Sequence, residues 1–442
     1  MLNRIADLVI AAPKVVLGLC LILVVAGGIY GWDTAGRLSP AGYEVGGSES
    51  TEAQAVLARR FDTGPANVVL LATAVGGTSA GSDSGGGRPD GIDSDQARAD
   101  GQQLVERLQA FPGVEDVTSY WTTGAQQLKS DDGDRALVAA RIVESEDEIY
   151  DRVEQIRDEL AGSAGSLEVA VGGSAAANLE IVEESERDLL RAELIAIPIT
   201  TIIMLLVFRS VVAALLPLVV SAVAVVGTAA VLKAMSEVTL VSIFALNLTT
   251  ALGLGMGVDF SLFTISRFRE ERAAGADNEA ALRTTVNRAG RSILFSGMTT
   301  AATLAALLLF DYPLLRSLAI AGFAVVILAT LGALLALPAT IALLGDRIDR
   351  FQLRTAEPKA IEDGAWYRIA QWVMTRPRSV ALVVVGILLL LGTPFLRAQF
   401  GIPDDRALPT TSQARQVADQ LRADFPGSEF GAMAAVAPDY AD

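Results

Sequence analysis

The chain of 442 residues is 51% hydrophobic and only 19% charged, with a formal net charge of −16. A soluble chain of this size carries about 25% charged residues, so the apolar excess is concentrated where water does not reach. The acidic balance argues against a nucleic-acid partner; the lack of histidine excludes Ser-His-Asp triads and His-ligated zinc, and a lone cysteine, Cys20, excludes an internal disulfide or a Cys-cluster metal site.

In chain order, seven stretches have the apolarity of membrane-crossing helices: 15–31, 194–208, 211–232, 238–266, 292–310, 315–344 and 379–396. The first follows Arg4 and Lys14 and also has the shape of a signal peptide. The second is short and reaches spanning length only by including 189–193, which places Arg191 and Glu193 near an interface; Arg209-Ser210 joins it tightly to the third. Between the first two stretches, residues 32–188 carry 30 acidic and 12 basic residues, net −18, so the acidity of the chain resides there.

That insert reads as α+β. A helix over 48–61 precedes a strand at 67–75, a helix at 96–111, strands at 114–121 and 135–143, a helix at 146–160 and a strand at 167–172. The order is β-α-β-β-α-β, the split βαβ pattern. The Gly-, Ser- and Asp-rich 76–95 reads as a disordered loop. Asp131-Asp132-Gly133-Asp134 reads as a β-turn and 144–148 as a helix start, so these carboxylates are solvated faces rather than an enzyme's site. Arg4, Lys14, Arg209, six arginines in 267–291 and seven Lys/Arg in 346–378 fall on one side if the helices alternate. That excess places this side, and the N-terminus, in the cytoplasm and exports 32–190.

An internal repeat runs through the chain at a constant offset of 364: Arg4-Ile5-Ala6 recurs as Arg368-Ile369-Ala370, Pro13 as Pro377, Gly28 as Gly392, Ser48 as Ser412, Leu57 as Leu421 and Phe61 as Phe425. The helix at 379–396 lies mid-chain, so its counterpart at 15–31 is expected to be retained rather than cleaved. The repeat divides the chain into 1–31, an exported domain at 32–190, five helices at 191–345, a cytoplasmic connection at 346–378, a seventh helix at 379–396 and the start of a second exported domain at 397–442. The expectation is a truncated chain, its last residues opening a strand.

The fourth membrane stretch holds the densest motif, residues 251–271. Gly253 and Gly257 form a GxxxG face that lets another helix approach closely, and the small Ser296, Gly297, Thr299 and Thr300 of the fifth stretch are the surface expected to meet it. Asp259 follows. A carboxylate in hydrocarbon is costly unless paired, hydrated or protonated, which suits it to carrying a proton. Arg267 lies eight residues on, about 12 Å along a helix, so hydration near an interface is the competing reading. The 267–271 end reads as a charged cap.

The pattern G-x-G-x-D-F-x-L-F-x-x-S-R-F-R-E-E at 255–271, with Ala245-Leu246-Asn247 upstream and Leu337-Pro338-Ala339 closing the sixth stretch, resembles the MmpL family of actinobacterial lipid exporters in the resistance-nodulation-division (RND) superfamily. The resemblance implies a polytopic α-helical membrane protein, seven helices here of twelve, with an exported βαββαβ-like domain between the first and second. It implies export of lipids or hydrophobic compounds across the plasma membrane, driven by a proton gradient, with no cofactor and no enzymatic step. It also implies a proton relay, with Asp259 as its carboxylate. Phe260 departs from the tyrosine usual in that relay, leaving the hydroxyl's role to water, Ser261 or nothing. Partners implied are a lipid substrate, membrane lipids, and a C-terminal half or second chain supplying the facing relay pair; a homo-oligomer stays open. The alternative from the same superfamily is a non-pumping, lipid-sensing bundle.

Overall fold

The computed structural model describes residues 1–39, 48–61, 63–75, 91–144, 146–349, 365–398 and 404–425. The loop expected at 76–95, up to residue 90, and the strand start expected beyond 425 lie outside them.

The chain begins with α1 (Leu2–Ala11) and α2 (Pro13–Tyr30); Pro13 sits in the first turn of α2, where its missing N–H costs nothing. Then come α3 (Glu49–Phe61), β1 (Val68–Ala74), α4 (Asp95–Gln109), β2 (Val114–Ser119), the single turn α5 (Tyr120–Thr123), β3 (Arg135–Ile142), α6 (Glu146–Leu160), β4 (Gly162–Ala164) and β5 (Leu167–Gly172). The five strands form one antiparallel sheet in the order β2-β3-β1-β5-β4. Without the short edge strand β4, which the sequence reading does not contain, this is the arrangement a split βαβ pattern produces. Ser94 starts α4 by accepting from the Ala97 amide at 3.1 Å.

The apolar run of β1 is buried on both faces. Val68, Leu70 and Ala72 pack toward α4 and α6 with Leu104, Leu108, Val138 and Ile156. Val69 and Leu71 point the other way, where with Leu137 they meet Val417, Leu421 and Phe425. Those three belong to α15 (Gln413–Asp424) and the residue after it, so the outer face of the sheet is covered by the second repeat. Its counterpart α3 starts 364 residues earlier, at the same register.

The helices that follow are α7 (Ser174–Phe208), α8 (Val211–Ser236), α9 (Phe244–Ala273), α10 (Asn278–Ala305) and α11 (Pro313–Leu331), which continues into α12 (Leu337–Leu344), with α13 (Ala365–Thr375) and α14 (Pro377–Gly392) later. Among the described residues, seven helical segments are long and apolar enough to cross a membrane. The second differs from its sequence reading. Rather than a short helix reaching back only to 189, α7 is one helix of 35 residues, about 52 Å long, from the sheet to Arg209. Hydropathy dips where Glu183, Glu184, Arg187, Asp188 and Arg191 occur, but these charges pair at helical spacing, Arg187 with Glu184 at 2.7 Å and with Glu183 at 3.0 Å. At its start Gly173 has φ of +94°, and a Cβ there would lie 2.6 Å from the Asn67 carbonyl, so only glycine makes this corner.

The fourth segment begins later than its apolar run, because 238–243 leaves the helix to pair with the chain after α2: the Ser39 amide donates to the Val241 carbonyl and the Ile243 amide to the Ser39 carbonyl, both at 2.9 Å. Between α11 and α12, Gly332–Ala336 widens into a π turn. Pro338 has no N–H to offer Leu334, which is the local cause. The bundle core is built from α8, α9, α10, α11 and α12 around Val220, Phe260, Ile265, Ile293 and Val325.

Candidate functional site

Asp259 is the sixteenth residue of the 30-residue α9, near its middle. The helix presents alternate faces at its motif. Gly253, Gly257, Phe260 and Ser261 are buried, whereas Asp259 is exposed on a stripe with Ala251, Gly255, Phe263 and Ser266, spaced three and four apart. Asp259 makes no hydrogen bond or ion pair among the described residues. Phe260 is 4% exposed and lies in the bundle core, so the residue at the tyrosine position turns away from the carboxylate rather than beside it. Ser261 is also fully buried, and its hydroxyl has no partner among the described residues, Asp259 included.

The glycines do bring a helix close, but not the one expected. A Cβ on Gly253 would lie 2.5 Å from a Val225 methyl, and one on Gly257 would lie 2.9 Å from the Ser221 backbone nitrogen. Both neighbours are on α8, so α8 and not α10 fills the GxxxG groove. On α10, Gly297 is buried against Thr330 of α11. Ser296 is exposed, and the Thr300 hydroxyl donates to the Ser296 carbonyl at 2.9 Å, an intrahelical bond. The reason is shape: Ser221 is small and Val225 branched, so α8 offers a shallow surface to the groove, while the small residues of α10 divide between two faces.

At its far end α9 is tied by charge. Arg269 donates to the Phe208 carbonyl at the end of α7 at 2.9 Å and pairs with Asp349 at 2.5 Å; Arg272 pairs with Asp346 at 2.7 Å; Arg267 pairs with Glu270 at 2.7 Å and with Glu271. These contacts hold α7, α9 and the end of α12 together, as a capped helix end does.

A feature absent from the sequence reading is a cavity of ≈ 810 Å³ between α7, α8 and α9. Ala222 and Leu254 wall its apolar side, and Asp188, Ser185 and Asn247 stand at its other end. The Asn247 amide donates to the Ser185 hydroxyl at 2.9 Å, linking α9 to α7. Asn247, as part of the Ala245-Leu246-Asn247 motif, and Leu254, within the 251–271 motif, carried a sequence signal, but none that pointed to a cavity. Among the described residues no cluster of His, Cys, Asp and Glu could hold a metal ion.

The family model described as the MMPL family matches residues 84–380. A membrane protein of Streptomyces coelicolor is 36% identical over 334 residues, covering 74% of this chain and 46% of that protein. The trehalose monomycolate exporter MmpL3 of Mycolicibacterium smegmatis is 27% identical over 441 residues, 93% of this chain and 43% of that one. The mycolic acid-containing lipids exporter MmpL11 of the same species is 29% identical over 254 residues. The chain thus spans about half the length, or less, of the relatives it matches.

Proposed function

The chain belongs to the MMPL family of RND transporters, and from that premise we propose that it works in proton-driven export of a lipid or other hydrophobic compound across the plasma membrane. The observation that carries this reading is Asp259: a carboxylate midway along a membrane-length helix, on the face left open by the bundle, with no partner among the described residues. In hydrocarbon such a group is stable when neutral or when a facing group pairs with it, so gaining and losing a proton alternates attraction to whatever packs on that face. A second repeat is the natural occupant, because the offset of 364 begins one within this chain.

Coupling to the sheet domain runs through α7. One uninterrupted helix leaves β5 through Gly173 and ends at Arg209, while Arg269 of α9 holds its last carbonyl. A shift of α9 on protonation therefore moves a rod rooted in the sheet. The arginine-rich helix ends support placing that side, with the N-terminus, in the cytoplasm and the acidic sheet domain outside the plasma membrane. The test is Asp259→Asn in the assembled transporter reconstituted in vesicles with an imposed pH gradient. Substrate export falls to background while insertion and thermal stability are unchanged. Export at the unsubstituted rate refutes the relay.

Phe260 favours a second reading, since no hydroxyl stands beside the carboxylate: a bundle that responds to lipid without turnover. That reading predicts no gradient-driven export by the unsubstituted protein.

A further inference from the structure

Two short helices stand before membrane-length ones at the same place in the repeat, α1 before α2 and α13 before α14. Their corners are alike. Ala12 has φ −137° and ψ 54°, and Arg376, its counterpart at the offset of 364, has φ −133° and ψ 50°. A proline follows each, which keeps the residue before it out of the helical region. So α13 leaves α14 at the angle at which α1 leaves α2, at the surface of the membrane that α14 crosses. There α1 lies against the turns of α10 that precede its apolar run: Leu2 reaches Gly290, Ala6 and Val9 are fully buried, and Asp7 pairs with Arg283.

The two helices differ along the edge that α1 leaves open. Arg4 and Leu8 are exposed there, and their counterparts are Arg368 and Trp372. Further along, Ala12 becomes Arg376 and Lys14 becomes Arg378. Asp7, which fastens α1 to α10, becomes Gln371, whose amide donates to the Tyr367 hydroxyl at 3.1 Å instead. Residues 4–14 hold Arg4, Lys14 and Asp7, net +1, whereas 368–378 hold three arginines and no acidic residue, net +3. Arg368, Trp372 and Arg376 are four apart and so line up along one edge of the helix. Trp372 is 55% exposed, and the guanidinium groups of Arg368, Arg376 and Arg378 have no partner among the described residues. The matching edge of α1 stays open while its neighbouring face is docked. This edge of α13 is therefore available whatever covers Ile369 and Val373.

We propose that the Arg368–Trp372–Arg376 edge of α13, continued by Arg378, binds the headgroups of anionic phospholipids in the leaflet on its side of the membrane. A tryptophan ring settles at the boundary of headgroups and hydrocarbon, where its apolar body and its N–H are both satisfied. Arginines beside it lay their stems on apolar surface and carry their charge to the phosphates. Each cation near an anionic leaflet shifts partitioning by about three- to fivefold, so three without a carboxylate discriminate strongly against zwitterionic lipid. The site needs neither the proton relay nor a transported substrate, so it stands apart from the transport reading above.

The test uses the full chain in nanodiscs of equal parts phosphatidylcholine and phosphatidylglycerol, with a trace of one lipid or the other made photoreactive. The phosphatidylglycerol probe labels residues 367–378 about thirtyfold more than the phosphatidylcholine probe, and high salt narrows the difference. Replacing two of the cations, Arg368→Gln with Arg376→Gln, lowers that preference about tenfold. All the side chains changed are exposed, so melting in detergent stays where it was. Arg4→Gln, the same change on α1, leaves the preference at 367–378 untouched. Equal labelling by the two probes, or a preference indifferent to the double substitution, overturns the headgroup assignment. Absence of labelling at 367–378 by either probe means that protein covers this edge, and overturns the site.

Discussion

Phe61 and Phe425 hold the same position in the two repeats, yet Phe61 is 58% exposed and Phe425 is 3% exposed. Truncating each to alanine turns this difference into a measurement. Phe425 packs with Leu421 and Val417 on Val69, Leu71 and Leu137, the outer face of the central strands. Phe→Ala at such a buried site costs about 3–5 kcal/mol. The loss cannot exceed what docking of α15 contributes, because beyond that the helix simply detaches. Docking has other support: Arg135 pairs with Asp424 at 2.5 Å, and Glu180 holds the first turn of α15. The lower part of the range, ~3 kcal/mol, is therefore expected. A domain of this size shifts its melting temperature by about 2–4 °C per kcal/mol, so Phe425→Ala lowers it by roughly 10 °C. Phe61→Ala, at an exposed site, changes stability by no more than about 0.5 kcal/mol. The assay is thermal unfolding of the full chain in detergent, with hydrogen exchange on β1, β3 and β5 to localise the effect. Equal melting temperatures for the two variants, or protection of β1 unchanged by Phe425→Ala, would refute the packing of α15 on this sheet.

The glycines of α9 give a second pair. Gly257→Val forces a side chain against the Ser221 backbone and destabilises the bundle by about 1–3 kcal/mol, read as lower thermal stability in detergent, while Gly255→Ala, at a position with nothing within 4 Å, does not lower it. In the sheet domain the Asp100 carboxylate accepts from the Ser166 amide and hydroxyl, both at 2.7 Å, which holds its pKa below the usual carboxylate range. A depressed folded-state pKa adds stability that is fully present above the unfolded value of about 3.9 and is lost as pH falls through the folded one. Asp100→Asn thus narrows the stability difference between pH 6 and pH 3, as urea titrations at the two values would show. Cutting the α7–α9 link with Asn247→Ala, which frees Ser185, leaves melting within about 0.5 kcal/mol but lowers export in the vesicle assay.

Much of this molecule follows from local pattern alone. The apolar runs and the β-α-β-β-α-β order are properties of short windows, and the elements formed at or near the expected places because propensity and hydrophobic period agree there. Asp259 was legible for the same reason: a charge inside an apolar run is visible without knowing its neighbours. Packing between distant segments was not. The tertiary structure alone decided that Gly253 and Gly257 receive α8 instead of α10, and that Phe260 turns inward while Asp259 turns out. It also decided that α15 lies on the first sheet and that α7 runs unbroken through a charged stretch. Each outcome depends on which surfaces are complementary in three dimensions, and a periodicity names a face without naming what covers it. The cavity between α7, α8 and α9 is the extreme case, since its walls are ordinary helix residues from segments tens of residues apart, brought together only by the fold.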